Sequence, residues 1–392
     1  MAASRPRFPA LDGLRAVGAL AVLTTHVGFS SGASLFGAWA GPLARLDAGV
    51  AIFFVISGFL LYRPHVAARL HGEPAPASVV YLWHRALRIL PVLWVAVALA
   101  LVLRGDRPAD LSGYLQVATL TQVYAHGFQV PGLTQMWSLA TEVAFYVVLP
   151  WLARGLGRLG GRTSAGLRRE VAALVAFTAV SAAWWAVVAE GGTAMGLWLP
   201  GYLGWFGVGM ALAVWSAGRE RGLLWASPLD DLAGAPGTAW VAALALFLVA
   251  ATPIAGPYGL QLPTTGTAVT KNALYAAIAL LLVLPAVLTP TSHPSVPRQP
   301  VVELLGSGVP RYLGQISYGI FAYHVALLGL VERLIGHRTF GGQFGLLWTI
   351  TLALSTALAS LSYYALERPI MRWGRRHEPR RTTRAKEMST SA

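Results

Sequence analysis

The sequence lacks cysteine and is poor in charged residues. The absence of cysteine excludes disulfide bonds and thiolate metal sites, and we expect neither a metal ion nor a permanently bound cofactor. Only 12% of the 392 residues are charged, whereas 55% are hydrophobic. A soluble domain has roughly a quarter of its residues charged. The composition therefore excludes an ordinary soluble protein and predicts a polytopic membrane protein.

Lysine and acidic residues are also scarce. Lys occurs only at positions 271 and 386, and 16 acidic residues stand against 30 basic ones, which gives a formal net charge of +14. The basic residues lie between and after apolar segments, so membrane orientation explains them better than nucleic-acid binding does. We therefore expect no nucleic-acid partner. Little Lys with much Ala and Gly is typical of a GC-rich bacterial genome, which predicts a multi-pass protein of the bacterial cytoplasmic (inner) membrane.

Apolar segments of roughly 17 to 25 residues, the length that crosses a bilayer, recur along the chain. The sequence predicts ten of them, near 10–28, 44–62, 87–103, 136–153, 171–189, 203–217, 236–252, 270–289, 312–335 and 344–365. With the N-terminus in the cytoplasm, most Lys and Arg fall in cytoplasmic connections, in agreement with the positive-inside rule. We predict an all-α integral membrane protein, a ten-transmembrane-helix bundle with both termini cytoplasmic.

Two segments outside the spans have a distinct composition. Residues 104–135 are too polar to span a membrane and too aromatic for a free linker, so we expect them to fold back over the outer mouth; they include Tyr114, Gln122, Tyr124, His126 and Phe128. The chain from Arg372 onward is rich in Arg and predicts a solvated segment attracted to anionic lipid. We therefore divide the chain into a membrane domain, 1–370, and a basic cytoplasmic tail, 371–392.

The first apolar segment carries two ionisable residues, Arg15 and His26. They are eleven residues apart, which places them on one stripe of a helix and separates them by roughly 16 Å. Ionisable groups at membrane depth are costly and usually mark a functional site. The alternative is that Arg15 reaches the headgroups and His26 caps the far end of the helix. Asp12, one turn before Arg15, is expected to be its ion-pair partner or a helix cap.

The second to fourth segments add further polar residues. Ser57 is a small hydrogen-bonding residue near the inner surface. Arg85 and Arg88 share a helix face and can clamp one anionic group, although two such arginines are also ordinary topology markers. The fourth span opens with Trp137, Ser138, Glu142 and Tyr146. Because neighbouring spans are antiparallel, Glu142 and His26 are expected at similar depth.

The ninth segment places Tyr318, Tyr323 and His324 near mid-membrane. A histidine at that depth is either a hydrogen-bond partner inside the bundle or a residue along a substrate tunnel, and the sequence does not separate the two. Asp47, Glu332 and Arg333 lie at outer helix ends, where a local salt bridge or an interface anchor is favoured over substrate binding.

Six motifs in order resemble acyltransferase family 3, a family of bacterial integral-membrane O-acyltransferases. They are Leu11-Asp12-Gly13-Leu14-Arg15-Ala16 with His26, Phe53 to Leu60, Arg85-x-x-Arg88, Trp137-Ser138-Leu139-x-x-Glu142, Ile316 to His324, and Glu367-Arg368-Pro369. The resemblance implies a ten-helix bundle that moves an acyl group, usually acetyl, from cytoplasmic acyl-CoA to a hydroxyl. Val143 departs from the family pattern, in which a second acidic residue usually follows the glutamate. Some members carry a fused esterase-like domain; this chain shows none, which argues against a two-domain relay.

The chemistry of acyl transfer assigns roles to these residues. An alcohol needs a base to become a nucleophile, and histidine suits that role near neutral pH. We therefore predict His26 as general base, with Glu142 orienting its ring. Arg15, Arg85, Arg88 and Ser57 are predicted to bind acyl-CoA, which is a co-substrate. Supporting residues of the site or tunnel are Trp137, Ser138, Tyr146, Tyr318, Tyr323 and His324.

The predicted acceptor is a hydroxylated cell-envelope glycan or glycolipid. A tailoring acyltransferase for a secreted small molecule such as a macrolide is the alternative within the enzyme class. A proton-coupled secondary transporter is the alternative from another class, since buried Arg, His and Glu also serve transport. No paired half-repeats or matching broken helices are visible in the sequence, which disfavours a transporter.

Overall fold

The computed structural model describes residues 8–103, 111–125, 130–224, 227–287 and 299–379. These residues form helices joined by short turns, with no strand among them. The helices are α1 (Ala10–Ser31), α2 (Ala40–Arg45), α3 (Gly49–His71), α4 (Ser78–Val102), α5 (Leu111–Ala118), α6 (Met136–Gly160), α7 (Ser164–Val188), α8 (Leu199–Glu220), α9 (Pro228–Gly234), α10 (Pro236–Ala250), α11 (Thr265–Val287), α12 (Pro300–Leu305), α13 (Gly308–Leu334), α14 (Phe344–Ser362) and α15 (Arg368–Arg376).

The all-helical membrane architecture predicted from the sequence is confirmed. Within the described ranges, nine helical segments are long and apolar enough to cross a membrane, or ten if the bent pair α9–α10 counts as one span. All ten predicted spans fall on helices, namely α1, α3, α4, α6, α7, α8, α10, α11, α13 and α14. Helices dominate because a backbone in lipid has no water to satisfy its polar groups. The cytoplasmic position of both termini stays a prediction.

The third, fifth and seventh spans differ from the sequence-based expectation. The third is α4, which begins at Ser78 and not near 87. The seventh is α10, which has only 15 residues and follows α9 across a bend of 97°. The fifth is α7, which starts at Ser164 and not near 171. Its first turns contain Arg168 and Arg169, which an apolar-window criterion excludes although the helix continues through them.

Helix α1 runs through the bundle beside α3, α13 and α14. It ends at Gly32, whose φ of +83° requires the left-handed region and whose N–H donates to the Phe29 carbonyl. We call the side where α1 begins the proximal face and the side where it ends the distal face. Helices α4 and α13 also begin at the proximal face, whereas α3, α6, α8 and α11 begin at the distal face.

Small residues bring α1 close to its neighbours. A Cβ on Gly314 of α13 would lie 1.9 Å from the Asp12 carbonyl oxygen, and one on Gly49 of α3 would lie 2.4 Å from the Gly18 carbonyl oxygen. Close approach at glycine is a common way of packing helices in membranes. These two contacts fix α1 between α3 and α13, so that the polar stripe of α1 faces the interior of the bundle.

The two unusual segments of the sequence pack onto this bundle where they are described. In the 104–135 connection, Gln122 donates to the Met136 carbonyl at 3.0 Å and lies against the start of α6; His126 and Phe128 lie outside the described residues. The region predicted as a tail from 371 starts as helix α15, and Trp83 donates to its Gly374 carbonyl at 3.1 Å. The segment therefore leaves the bundle later than predicted, and residues 380–392 lie outside the described ranges.

Candidate active site

A cavity lies among α1, α3, α4, α6 and α13. It encloses about 680 Å³ of empty space, part of it open to solvent. We call it the proximal cavity, and its lining consists of Arg15, Val50, Phe53, Phe54, Ser57, Arg85, Arg88, Ile89, Ser138, Leu139, Glu142, Tyr146, Ser317, Tyr318 and Phe321. Arg85 lies about two turns into α4, near the proximal face. Val50 lies in the first turn of α3, next to Gly49, which packs against Gly18 of α1. The cavity therefore extends from the proximal side to about the middle of α1.

The structure brings three of the predicted arginines together in this cavity. Arg15 lies 3.4 Å from the Asp12 carboxylate, so the predicted ion pair is confirmed. The Arg85 guanidinium lies 6.0 Å from the centre of the Tyr146 ring, and its buried Nε atom has no hydrogen-bond partner in the described part of the chain. Arg88 comes close enough to Arg15 for like-charge repulsion. Such a cluster favours an anionic ligand, because buried like charges are costly without counter-charge.

Glu142 is the only acidic residue in the described lining of the proximal cavity. Its carboxylate accepts hydrogen bonds from the hydroxyl of Ser57 and, at 2.7 Å, from that of Tyr146. The prediction that Glu142 orients the His26 ring is wrong in this structure, since no hydrogen bond joins the two in the described residues. Helix α6 packs against α3, α4, α7 and α8, which places Glu142 across the cavity from α1.

His26 instead pairs with His324 of α13. The Nδ1 atom of His26 lies 3.2 Å from His324 Nε2 and 2.8 Å from the Val22 carbonyl oxygen. His324 Nδ1 lies 2.7 Å from the Phe321 carbonyl oxygen, which can only accept, so we assign the His324 proton to Nδ1. His324 Nε2 then accepts from His26 Nδ1–H. No described residue bonds to His26 Nε2, so its lone pair is available in this part of the chain, which is what a general base requires.

Two phenylalanines separate the histidine pair from the arginines. Phe53 and Phe321 line the proximal cavity, and their rings are 6.2 Å apart. The Phe321 ring is in turn 6.1 Å from the His324 ring. A chain of ring contacts therefore connects the cavity to the histidine pair, whose residues are not part of the described cavity lining.

The remaining predicted residues divide between the cavity and other places. Ser138 and Tyr318 line the proximal cavity, and the Tyr318 hydroxyl donates to the Ile89 carbonyl at 2.9 Å. Tyr323 is not part of the described cavity lining, and its hydroxyl lies 2.7 Å from that of Ser362 in α14. Trp137 lines a second cavity nearer the distal face.

Sequence reasoning missed Phe53 and Phe321 as individual residues of the site, although both stand within motifs of the family resemblance. Their only sequence signal is that each lies in the same motif as a predicted polar residue, Ser57 for Phe53 and His324 for Phe321. The pairing of His26 with His324 was also missed, because the ninth span was predicted to begin near 312 and the helix begins at Gly308.

The chain belongs to acyltransferase family 3. The family model described as an acyltransferase domain matches residues 8–364, which include the proximal cavity and the histidine pair. Every motif that carried the resemblance lies in or overlaps this range except Glu367-Arg368-Pro369. No solved structure matches the chain.

Three known bacterial proteins are similar to the chain. YrhL of Bacillus subtilis, named provisionally as a peptidoglycan O-acetyltransferase, is 28% identical over 98% of this chain and 58% of its own length. Nodulation protein 10 of Rhizobium leguminosarum is 26% identical over 92% of each chain. The peptidoglycan O-acetyltransferase OatA of Listeria monocytogenes is 28% identical over 38% of this chain and 24% of its own length. The chain thus spans little more than half of YrhL and nearly all of Nodulation protein 10.

Proposed function

We propose that this protein transfers an acyl group, most simply acetyl, from acyl-CoA to a hydroxyl of a cell-envelope glycan, with His26 as the general base. The proximal face is then the cytoplasmic side of a bacterial inner membrane, and the distal face is the outer side. The observation that carries the proposal is that the arginine cluster lines the proximal cavity, while the His26–His324 pair lies beyond Phe321, farther along α1. Membership of the acyltransferase family supports the same reaction class.

The donor fits the arginine end of the proximal cavity. CoA is a multiply charged anion that carries its thioester on a long, thin arm, and guanidinium groups bind phosphates in forked geometry. Arg15 and His26 lie on one helix stripe roughly 16 Å apart, a distance along which such an arm can extend. The arm would pass Phe53 and Phe321 to bring the thioester carbonyl next to His26.

The acyl transfer then needs one proton-accepting atom. His26 Nε2 takes the proton from the acceptor hydroxyl as its oxygen attacks the thioester carbonyl carbon. Collapse of the tetrahedral intermediate breaks the C–S bond, and the CoA thiolate takes the proton back from His26. The imidazolium formed in between is stabilised at Nδ1–H by the lone pair of His324 and by the Val22 carbonyl oxygen.

A glycan acceptor is supported by the names of two relatives, YrhL and OatA, which refer to peptidoglycan O-acetylation. The direct test uses purified protein in detergent, with acetyl-CoA as donor and chitotriose, a trimer of N-acetylglucosamine, as acceptor. We expect acceptor-dependent release of free CoA and acetylated chitotriose by mass spectrometry. Donor that is neither bound nor cleaved under any acceptor condition would contradict the proposal.

His324 is expected to act as a positioning residue for His26. His324→Ala removes the lone pair that faces His26 Nδ1–H, and losing a hydrogen bond to a charged group costs about 1.5–3 kcal/mol, which is about 10- to 150-fold in rate. We expect this loss in kcat at unchanged KM for acetyl-CoA, measured from steady-state initial rates.

His324→Asn serves as the matched variant, because its amide oxygen can accept the same hydrogen bond. It should recover part of the lost rate. If both variants lose the same activity, or if KM for the donor rises with kcat unchanged, His324 has a packing role only.

A further inference from the structure

A second cavity opens near the distal face and is not used by the donor half of the reaction. It encloses about 870 Å³ of empty space, part of it continuous with solvent. Its walls come from the end of α2 and the turn before α3, from the N-terminal parts of α3, α6, α8 and α11, from the last turn of α7 and from the chain that follows α10. We call it the distal cavity. Val50 lines both cavities, and consecutive residues of α6, Trp137 and Ser138, line one cavity each. The wall between the two is therefore about one side chain thick at these points.

One wall of the distal cavity is a group of aromatic rings, Trp137, Trp185, Tyr202, Trp205 and Tyr275. The rings contact one another, with centroids 5.1 Å apart for Trp137 and Tyr202 and 4.9 Å apart for Tyr202 and Trp205. Hydrogen bonds fix two indoles: Trp205 donates to the Asn272 carbonyl at 2.9 Å and Trp185 to the Gly201 carbonyl at 3.0 Å. The wall is therefore a preformed aromatic surface.

Polar groups line the same cavity. The Asp47 carboxylate accepts from Lys271 at 2.6 Å and from the Tyr275 hydroxyl. The side chains of Lys271 and Asp47 are each about one-third exposed, at 33% and 36%, so both keep capacity for further hydrogen bonds. Gln261 adds an amide to the lining. The predicted local salt bridge of Asp47 therefore exists, but it lies inside a cavity.

The charged groups of this cavity already have partners within the protein. Asp47 balances Lys271, and the buried Arg45 guanidinium donates to the carbonyls of Ala250, Gly256 and Pro257. Arg45 thus anchors the rim segment after α10 and is not free for a phosphate. A cavity of this kind disfavours both a polyanion and a wholly apolar molecule. It suits a ligand with one apolar face and a periphery of hydroxyl groups.

We propose that the distal cavity binds a pyranose unit of the glycan acceptor, a proposal that rests on the proposed function. A pyranose stacks its C–H face on the electron-rich face of an aromatic ring and directs its hydroxyls outward. Trp137 and Trp185, the two partly exposed tryptophans of the lining, supply the stacking surface, and Asp47, Lys271 and Gln261 bind the hydroxyl groups. The acceptor site is thereby separate from the donor site and meets it at the wall formed by Val50.

The histidine pair lies close to the segment that carries Asp47. The last turns of α1 pack on this segment, with the Thr25 hydroxyl donating to the Ala44 carbonyl at 3.3 Å. A sugar held by Asp47 and Lys271 would therefore present a hydroxyl on the His26 side of the cavity.

Sugar binding is tested without turnover, in protein with His26→Asn. Chitotriose is titrated by isothermal calorimetry against this protein and against the same protein with Trp137→Ala or Lys271→Met. We expect binding to weaken by about tenfold or more for Trp137→Ala, because the stacking surface is lost. Lys271→Met should weaken binding while the Tyr275 bond to Asp47 is retained. Trp151→Ala is the matched control on the same helix, since Trp151 is 61% exposed on the outer surface of the bundle.

The possible outcomes test the sugar-binding site and the acyl-transfer reaction separately. Variants that retain acetyl-CoA binding and the thermal unfolding midpoint but lose chitotriose support the proposal. Chitotriose affinity that is unchanged in both variants, or no sugar binding by a protein that hydrolyses acetyl-CoA, overturns the distal site and leaves the acyltransferase reaction intact. Erythronolide B, a macrolide ring without sugars, that binds instead of chitotriose with the same dependence on Trp137 overturns the sugar assignment. Sugar binding by a wild-type protein that never cleaves the donor refutes the proposed function alone.

Discussion

Replacing His26 by Asn is expected to lower kcat by about 100- to 10,000-fold, the usual contribution of a general base. Asn can still donate from its amide to the Val22 carbonyl, which accepts from His26 Nδ1 at 2.8 Å in the wild type. It cannot take a proton from the acceptor hydroxyl. In the proposed mechanism the donor binds at the arginine end of the proximal cavity, so KM for acetyl-CoA should stay within about twofold, the pattern of an interaction made only in the transition state.

The measurement is release of free CoA from acetyl-CoA in the presence of chitotriose, followed over initial rates. His377→Asn is the control, because His377 is an exposed histidine beyond the cavity. Added imidazole should restore part of the activity of His26→Ala, in which a space replaces the ring. Unchanged turnover in His26→Asn would remove His26 from the chemistry, and a rise in KM alone would make it a donor-binding residue.

The depth of the histidine pair could be predicted in part from the sequence. His26 was placed near the outer end of the first span, and the helix supports this because it ends at Ser31. His324 was placed at mid-membrane because the ninth span was predicted to begin near 312. The helix begins at Gly308, with Arg311 in its first turn, so His324 lies as far from its helix start as His26 does from Ala10. A polar first turn is invisible to an apolar-window criterion.

Glu142 shows the limit of the same reasoning. The start of α6 and antiparallel packing predict a carboxylate level with an imidazole, and this prediction is wrong. Glu142 bonds to Ser57, about two turns past Gly49 toward the proximal face, whereas Gly49 packs against Gly18, about two turns before His26. Depth also does not fix which helices are neighbours. Helix α6 lies beside α3, α4, α7 and α8, so Glu142 meets Ser57 and Tyr146 and not His26. Lateral order in a helix bundle depends on tertiary packing at small residues, which one sequence does not reveal.

The distal cavity could not be predicted because its lining comes from distant segments. Asp47, Trp137, Trp205 and Lys271 belong to four different helical segments and form no motif in the sequence. Most of the tryptophans in a membrane protein lie at the interface, so composition alone gives these residues that role. Only the packing of α3, α6, α8 and α11 turns them into one surface.

Replacing both Arg85 and Arg88 by Ala is expected to weaken acetyl-CoA binding by at least about 100-fold, because each lost hydrogen bond to a charged group costs about 1.5–3 kcal/mol. Both side chains line the proximal cavity, and Glu142 supplies the only acidic charge in its described lining. The double variant leaves Arg15 facing Glu142, so the cavity loses its excess positive charge. Binding of CoA is measured by calorimetry and by the shift of the thermal unfolding midpoint in detergent.

Two comparisons distinguish a specific donor site from a general attraction of CoA to the positive charge of this face. Arg375→Ala with Arg376→Ala removes the same charge from exposed positions of α15 on the proximal side and should leave binding unchanged. Arg85→Lys with Arg88→Lys keeps the charge but loses the forked geometry, so binding should fall between wild type and the alanine variant. Wild-type binding should also weaken with added salt, since screening reduces attraction at a cavity open to solvent. Equal losses in the two alanine pairs would mean that CoA responds only to the net charge of this face, and the arginine cluster would then have no specific role as a donor site.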